Sequence, residues 1–173
     1  GFGSIGSAVG KRVQLLGGHV TGARRSPGPA EGADHIVPMA LVKSELAQAD
    51  IVLLSLPLTD ETARMVDAEF LSAMRPDALL MNLGRGPLVD EAALLAALDA
   101  GRPAFAALDV TVEEPLPKDS PLWRHPKVAV TPHDSAATAA TYIRADETFL
   151  DNLQRYLAGE PLKHVVSPET FAD

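Results

Sequence analysis

The chain has 173 residues, no cysteine and a formal net charge of −8. This composition excludes disulfides, thiolate metal sites and cysteine nucleophiles, and an acidic chain without a basic tract is a poor candidate for nucleic-acid binding. No apolar run is long enough to span a membrane. The length is that of one domain, and we expect a cytoplasmic protein.

The chain begins with the glycine pattern GFGSIG at positions 1–6. This spacing is typical of a turn that brings the backbone close to a pyrophosphate just before a helix begins. The first glycine makes the turn, the second leaves room for phosphates, and the third packs helix against strand. Glycines also fill ordinary turns, so the pattern alone is weak. A helix should follow, with one apolar face made by Ile5, Val9, Val13 and Leu16.

This glycine pattern normally follows a strand at the centre of a sheet, and the sequence shows no residue before Gly1. We therefore expect a fragment of a longer protein that lacks its first strand. The strands at 19–23 and 51–56 should then flank a gap whose backbone groups have no partners. The isolated chain should be poorly stable or aggregation-prone.

Apolar strands and helices alternate along the rest of the chain. Prolines and glycines separate them, as expected between elements of a wound sheet. This alternation predicts an α/β fold, a doubly wound parallel sheet of the Rossmann type. Strands are expected at 19–23, 35–37, 51–56, 78–82, 104–110 and 127–131, and helices at 41–48, 67–74, 91–99 and 135–157.

Polar residues follow several of these strands. Ligands bind beyond the carboxyl ends of the strands in such a sheet, so residues at those ends should lie near one ligand. They include an arginine, two carboxylates and a histidine, namely Arg85, Asp109, Glu114 and His133.

Several motifs resemble those of the D-isomer-specific 2-hydroxyacid dehydrogenases. They are NLGRGPLVD at 82–90, ALDV at 107–110, EPL at 114–116, PLW at 121–123, and HP at 125–126 ahead of TPH at 131–133. The resemblance covers nearly the whole chain. Within the family, the motifs are most similar to those of glyoxylate/hydroxypyruvate reductases. The resemblance implies a single dinucleotide-binding domain over 1–173, in which residues 135–173 form a long helix and tail leading back toward a missing substrate lobe.

The resemblance implies three catalytic residues, Arg85, Glu114 and His133. A histidine titrates near neutral pH, so His133 can give a proton to the developing alkoxide and take it back. Glu114 would fix the imidazole tautomer and stabilise its protonated form. The planar guanidinium of Arg85 suits the substrate carboxylate and can polarise the adjacent carbonyl.

Each of these residues also has a simpler interpretation. His133 could mark a helix entry, Arg85 could be a solvated turn residue, and Glu114 could be a loop charge like Glu113. Asp109 could cap a strand end, although the resemblance implies contact with the nicotinamide carboxamide. The position of these residues at separate strand ends favours functional roles over the simpler interpretations.

The segment after the strand at 19–23 bears on cofactor choice. NAD-selective domains place an acid there that bonds the ribose hydroxyls, whereas this chain has Arg24 followed by Arg25 and Ser26. A guanidinium can bind a 2′-phosphate, so NADP is the predicted cofactor, with NAD as the alternative; both arginines could instead be solvated loop charges. The full set of predicted cofactor-binding residues is Gly1, Gly3, Ser4, Ile5, Gly6, Arg24, Arg25, Ser26, Leu56, Pro57, Thr62, Leu83, Gly84 and Asp109.

The sequence thus favours the nucleotide-binding part of an oxidoreductase that transfers hydride between NAD(P)H and a small 2-keto or 2-hydroxy acid, inactive in isolation. A homodimer is expected for the full-length protein, without a metal, nucleic acid or membrane partner. One alternative is a non-catalytic NAD(P)-sensing module, since transcriptional corepressors share this fold. Methyl transfer from S-adenosylmethionine also uses glycine-rich turns but leaves Arg85, Glu114 and His133 unexplained.

Overall fold

The computed structural model describes residues 1–25 and 28–166. The chain forms two compact units, Gly1–His133 and Asp134–Asp173. The first contains the sheet strands with their helices, and the second contains one long helix and a tail. The prediction of a single domain over 1–173 stays a prediction.

Six short strands and five helices make up the described elements. Short 3-10 turns flank α2 and follow β4. The strands are β1 Thr21–Arg24, β2 His35–Pro38, β3 Ile51–Leu54, β4 Leu79–Asn82, β5 Phe105–Leu108 and β6 Val128–Val130; the helices are α1 Ser4–Leu15, α2 Val42–Glu45, α3 Ala68–Ala73, α4 Glu91–Asp99 and α5 Ala139–Ala158.

All strand pairs are parallel, as the alternating pattern predicts. They form a two-stranded sheet, β1-β2, and a four-stranded sheet in the order β3-β4-β5-β6. Within the described residues, β1 and β3 are not hydrogen-bonded to each other. This gap agrees with the predicted one, while the low stability expected from it remains a prediction.

The core of the first unit lies around the four-stranded sheet. Leu54, Leu80, Ala106 and Leu108 of its strands are buried. They belong to one cluster with apolar residues from both neighbouring helices, α3 and α4. This packing covers strands that read as continuous apolar runs, which is typical of a parallel sheet with helices against it. It holds the carboxyl ends of β3, β4 and β5 at one edge.

The predicted apolar face of α1 is wrong at two positions. Ile5 is 54% exposed, and Leu16 lies just past the helix end and is 88% exposed. The residues that α1 buries are Gly6 and Gly10. A Cβ on Gly10 would lie 2.1 Å from the carbonyl oxygen of Gly32, so close backbone approach, rather than large side chains, packs this helix.

Side-chain caps define where several helices begin. Asp67 and Asp90 accept hydrogen bonds from backbone N–H groups in the first turns of α3 and α4, as the sequence predicts for Asp90. Thr138 caps α5, accepting from the Thr141 N–H. The long helix therefore begins at Ala139 rather than at residue 135. It ends as predicted at Gly159, whose φ of 69° suits glycine.

The second unit is α5 with a tail fastened to it. The Asn152 carboxamide grips the tail backbone, donating from Nδ2 to the Lys163 carbonyl at 3.1 Å and accepting from the Lys163 N–H at 2.8 Å. Several apolar side chains of α5 are exposed, among them Tyr142, Phe149 and Leu157. No helix in the described ranges is long and apolar enough to cross a bilayer.

Candidate active site

The three glycines of the turn differ in how much space surrounds them. A Cβ at Gly1 would lie 2.7 Å from Cβ of Leu56, and one at Gly6 would lie 2.6 Å from the Gly1 carbonyl oxygen. A Cβ at Gly3 would meet nothing within 4 Å. Gly3 is also the N-cap of α1. The outer two glycines are therefore needed for packing, while Gly3 borders open space at a helix N-terminus.

The aromatic residue inside the turn joins it to the smaller sheet. Phe2 is 8% exposed, and its ring lies where side chains on Gly10 and Gly22 would clash with it. The Gly1 carbonyl also accepts from Ser55 Oγ at 2.9 Å. Residues 1–3 are thus fixed between β1 and the segment that follows β3. Ser4 and Ile5 follow with exposed side chains.

Two arginines at the end of β1 have different surroundings. Arg24 Nη2 donates to the carbonyls of Gly28 and Pro29 at 3.0 and 3.3 Å, and its Nε is buried without a partner in the described part of the chain. Arg25 is exposed and makes no ion pair or hydrogen bond with other described residues. Ser26, also predicted to contact the cofactor, lies outside the described residues.

The segment after β3 lies beside the glycine turn. Leu56 is buried, and its carbonyl oxygen would be 2.9 Å from a Cβ at Gly84. Thr62 Oγ1 accepts from the Thr59 N–H and donates to the Pro57 carbonyl, both at 2.8 Å. The Thr62 hydroxyl therefore closes the turn that follows Pro57, a structural role that the sequence does not predict.

The turn after β4 carries Arg85. The Leu83 N–H donates to the Leu54 carbonyl at 3.0 Å, which continues the strand ladder to the sheet edge. Asn82 is fully buried; its Oδ1 accepts from the Gly84 N–H at 3.0 Å, and its Nδ2 donates to the Arg85 carbonyl at 2.9 Å. The exposed guanidinium of Arg85 donates from Nη1 to the Gly84 carbonyl at 2.7 Å.

Glu114 and His133 form a direct pair. Nδ1 of the imidazole lies 2.7 Å from Oε2 of Glu114, and the other carboxylate oxygen accepts from the Thr111 N–H at 3.1 Å. His133 first, then this N–H and Arg85, hold the pKa of Glu114 below its usual range against some desolvation. The φ of His133 is 55°, a left-handed conformation in which non-glycine residues are uncommon. The structure thus brings the three predicted catalytic residues together.

Asp109 directly follows β5. It is 3% exposed, and its Oδ1 accepts from Thr131 Oγ1 at 2.5 Å. Thr111, two residues further on, is also buried, and its Oγ1 donates to the Glu113 carbonyl at 2.8 Å. Sequence reasoning missed the positioning contacts of Asn82 and Thr111. The one indication in the sequence is that both are polar residues at or near the end of an apolar strand.

Two of the other histidines lie near carboxylates. His19 lies 3.4 Å from Asp34, and His125 lies 3.2 Å from Asp99. Among residues 1–25 and 28–166, no group of three or more His, Asp or Glu side chains is placed to hold a metal ion.

Comparison with known families gives a match over most of the chain. Residues 1–135 match the family described as "D-isomer specific 2-hydroxyacid dehydrogenase, NAD binding domain". A glyoxylate/hydroxypyruvate reductase B of Yersinia enterocolitica is 36% identical over 172 residues, which are 99% of this chain and 53% of the relative. A D-3-phosphoglycerate dehydrogenase of Mycobacterium bovis is 38% identical over 160 residues, which are 92% of this chain and 30% of the relative.

Solved structures show the same likeness in three dimensions. A D-isomer-specific 2-hydroxyacid dehydrogenase of Xanthobacter autotrophicus Py2, in complex with NADPH and MES, has a TM-score of 0.88 and 40% identity, covering 99% of this chain and 70% of that one. An NADPH-dependent glyoxylate/hydroxypyruvate reductase of Sinorhizobium meliloti, in complex with NADP and sulfate, has a TM-score of 0.87 and 30% identity, covering 96% and 54%.

Proposed function

The chain belongs to the D-isomer-specific 2-hydroxyacid dehydrogenases as their NAD-binding domain, and from that premise we propose that it is the nucleotide-binding part of a 2-keto acid reductase. The proposed reaction moves a hydride between NADPH and a small acid such as glyoxylate or hydroxypyruvate. The chain spans about half the length of the Yersinia relative, so activity and substrate are proposals for the whole protein. The observation that carries the proposal is the Glu114–His133 pair beside Arg85.

The first unit has the features that a dinucleotide requires. The open space at Gly3 lies at the N-terminus of α1, where free N–H groups and the helix dipole favour an anion. Gly1 and Gly6 have no room for side chains and so hold this turn against the sheet. These residues suit a pyrophosphate, with Ser4, Ile5, Leu56, Pro57, Thr62, Leu83, Gly84 and Asp109 proposed as further contacts. When bound there, NADPH would supply the hydride for the reduction.

His133 is the proposed proton donor. Its Nδ1 faces Glu114, which leaves Nε2 to donate a proton to the oxygen that becomes an alkoxide during reduction. Glu114 fixes this orientation and stabilises the imidazolium, because the carboxylate stays ionised at neutral pH with its pKa lowered. Oxidation in the reverse direction returns the proton to Nε2.

Arg85 is proposed to bind the substrate carboxylate. Among the described residues, the Arg85 guanidinium bonds to the backbone through one nitrogen, Nη1, at the Gly84 carbonyl. A guanidinium has five N–H donors, so enough remain for a bidentate carboxylate contact. Arg85 also lies close enough to Glu114 to lower its pKa. Substrate and proton donor would then meet at one edge of the sheet.

Cofactor preference is proposed to depend on the end of β1. Two relatives of known structure were solved with NADPH or NADP. In this chain, Arg25 is exposed without a partner among the described residues, while Arg24 fastens the loop at Gly28 and Pro29. Arg25 is therefore the better placed of the two for a 2′-phosphate, and Ser26, the next residue in the sequence, is a further proposed contact. NADP(H) is the proposed cofactor.

The family resemblance also supports a homodimer and a cytoplasmic location. Light scattering of the purified protein tests the first, and cell fractionation tests the second. An all-monomeric protein or one found outside the cytoplasm would overturn the respective proposal.

Turnover is the direct test of the function. We expect the protein expressed from its complete gene to oxidise NADPH when glyoxylate or hydroxypyruvate is added, as followed by nicotinamide absorbance. A His133→Ala variant serves as the blank for this site. Tight NADPH binding without turnover of any 2-keto acid would favour a nucleotide-sensing module instead.

A further inference from the structure

The buried polar side chains of the described chain lie at one place. They are Asn82, Asp109 and Thr111, which are 0%, 3% and 5% exposed. All three lie at or just beyond the carboxyl ends of β4 and β5 and are close to Arg85 or Glu114 in the sequence. Burying a polar group is costly unless it is hydrogen-bonded. Their concentration here indicates that they fix the geometry of this edge.

The Asn82 carboxamide uses both of its ends on the turn that carries Arg85. It accepts from the Gly84 N–H at 3.0 Å and donates to the Arg85 carbonyl at 2.9 Å. A leucine of similar size could make neither bond. A charged aspartate could accept from Gly84 but would set a carboxylate oxygen against the Arg85 carbonyl. The backbone on both sides of Arg85 is thus held by one side chain.

The same residue connects to the next strand. The Asn82 carbonyl accepts from the Asp109 N–H at 3.0 Å, and Asp109 accepts from Thr131, two residues before His133. The backbone of Asn82, at the end of β4, is therefore linked by hydrogen bonds through Asp109 to Thr131, just past the end of β6.

Gly86 allows the Arg85 turn to lie directly against the next loop. A Cβ on Gly86 would lie 1.9 Å from the Thr111 carbonyl oxygen, so the turn rests directly on that peptide. The N–H of Thr111 donates to Glu114. Any shift of the Arg85 turn toward Thr111 would therefore disturb the loop that holds the carboxylate.

We propose that Asn82 is a positioning residue, whose carboxamide holds the Arg85 turn in register with the Glu114–His133 pair. This inference rests on the proposed function for its catalytic consequence. Asn82 itself touches neither substrate nor cofactor and acts through Arg85. Losing the carboxamide frees the backbone at Gly84 and Arg85 and lets the guanidinium leave its position.

The test compares Asn82→Ala with Asn152→Ala. Both asparagines grip a backbone N–H and a backbone carbonyl, but Asn152 does so in the second unit. In the complete protein, Asn82→Ala should lower kcat/KM for the 2-keto acid on the order of 100-fold, because small misplacements at a reacting centre have such effects. Its NADPH Kd should change much less than its kcat/KM, and Asn152→Ala should retain wild-type kcat/KM. Equal losses in both variants would overturn the proposal.

A double-mutant cycle separates positioning from general stability. Arg85→Lys keeps a cation but loses the planar fork. If Asn82 acts through Arg85, adding Asn82→Ala to Arg85→Lys should lower kcat/KM far less than it does in the wild type. Fully additive losses would show that Asn82 acts independently of Arg85.

A third measurement does not depend on turnover. Carboxyl NMR should show a higher pKa for Glu114 in Asn82→Ala than in the wild type, because Arg85 and the Thr111 N–H both help to lower it. Asn152→Ala should leave the Glu114 pKa unchanged. If the protein reduced no 2-keto acid, the proposed function would fail while this titration still decided the role of Asn82.

Asn82→Asp provides the second variant if Asn82→Ala does not fold. It keeps the size and the acceptor for Gly84, and a protonated carboxyl regains the donor for the Arg85 carbonyl. We expect its kcat/KM, relative to wild type at the same pH, to recover as the pH falls. A wild-type kcat/KM across the pH range, with an unchanged Glu114 pKa, would overturn the proposal.

Discussion

Two edges of the first unit are built in opposite ways. The acid–base edge consists of Arg85, Glu114, His133 and the buried residues near them in the chain. Hydrogen bonds within the chain hold these residues in place and leave donors of Arg85 and His133 for a substrate. The glycine edge, formed by residues 1–6 and the end of β1, leaves Gly3 facing open space and Arg25 without a described partner. The first edge is therefore assembled within this chain, whereas a ligand would have to complete the second.

The largest expected effect is at the acid–base edge. His133→Ala removes the proposed proton donor, and we expect turnover by the complete protein to fall about 100- to 10,000-fold. The NADPH Kd should change little, because His133 is not among the proposed cofactor-binding residues. His19→Ala, at the amino end of β1, is the control. Near-normal turnover at neutral pH would refute the assignment.

A pair of glycine variants tests the contrast directly. Gly86→Ala should destabilise the fold by about 3 kcal/mol or more, because its Cβ would overlap the Thr111 peptide. Gly3→Ala should cost less than about 1 kcal/mol and instead weaken NADPH binding, because its Cβ would enter the open space. Thermal melts and NADPH titrations measure both. The contrast fails if the two variants lose stability equally.

Cofactor selectivity should separate the two arginines. Arg25→Ala should weaken NADPH binding about 10- to 150-fold, the value of a charge-assisted hydrogen bond, and leave NADH binding unchanged. Arg24→Asp should shift preference toward NADH and also loosen the loop at Gly28 and Pro29. Kd values for both cofactors decide this, with Arg144→Ala as the control. Equal use of NADPH and NADH by the wild type, unaffected by either substitution, would refute the assignment of cofactor selectivity to these arginines.

The smallest effect is a pH dependence of stability. The folded pKa of Glu114 is depressed, so its contribution to stability is present above the ordinary glutamate range and is lost as the pH falls through the folded value. Glu114→Gln should therefore reduce the acid sensitivity of the melting temperature below that range. Glu113→Gln is the adjacent control. An unchanged acid profile in Glu114→Gln would show that the pair with His133 does not contribute.

The sequence predicts the parts of the fold that depend on local chemistry. Apolar runs predict the strands of the larger sheet, and Asp90 and Gly159 mark helix ends as expected. The order of polar residues at the strand ends also predicts that Arg85, Glu114 and His133 lie near one another. These features follow from residue type and spacing along the chain.

What the sequence does not predict depends on contacts between distant backbones. α1 packs through Gly6 and Gly10 because the Gly32 carbonyl approaches it, which an apolar pattern cannot show. Thr138 rather than a residue near 135 caps α5 because the chain is still turning there. The grip of Asn82 on the Arg85 turn likewise exists only once β4 has ended against β5.

A structure of the NADPH complex tests the central claim most directly, because that claim joins the two edges through one ligand. The account predicts the pyrophosphate at the backbone N–H groups of residues 3–6, the 2′-phosphate at Arg25, and the nicotinamide beside Arg85 and His133. A dinucleotide bound elsewhere, or one whose nicotinamide points away from His133, would contradict it.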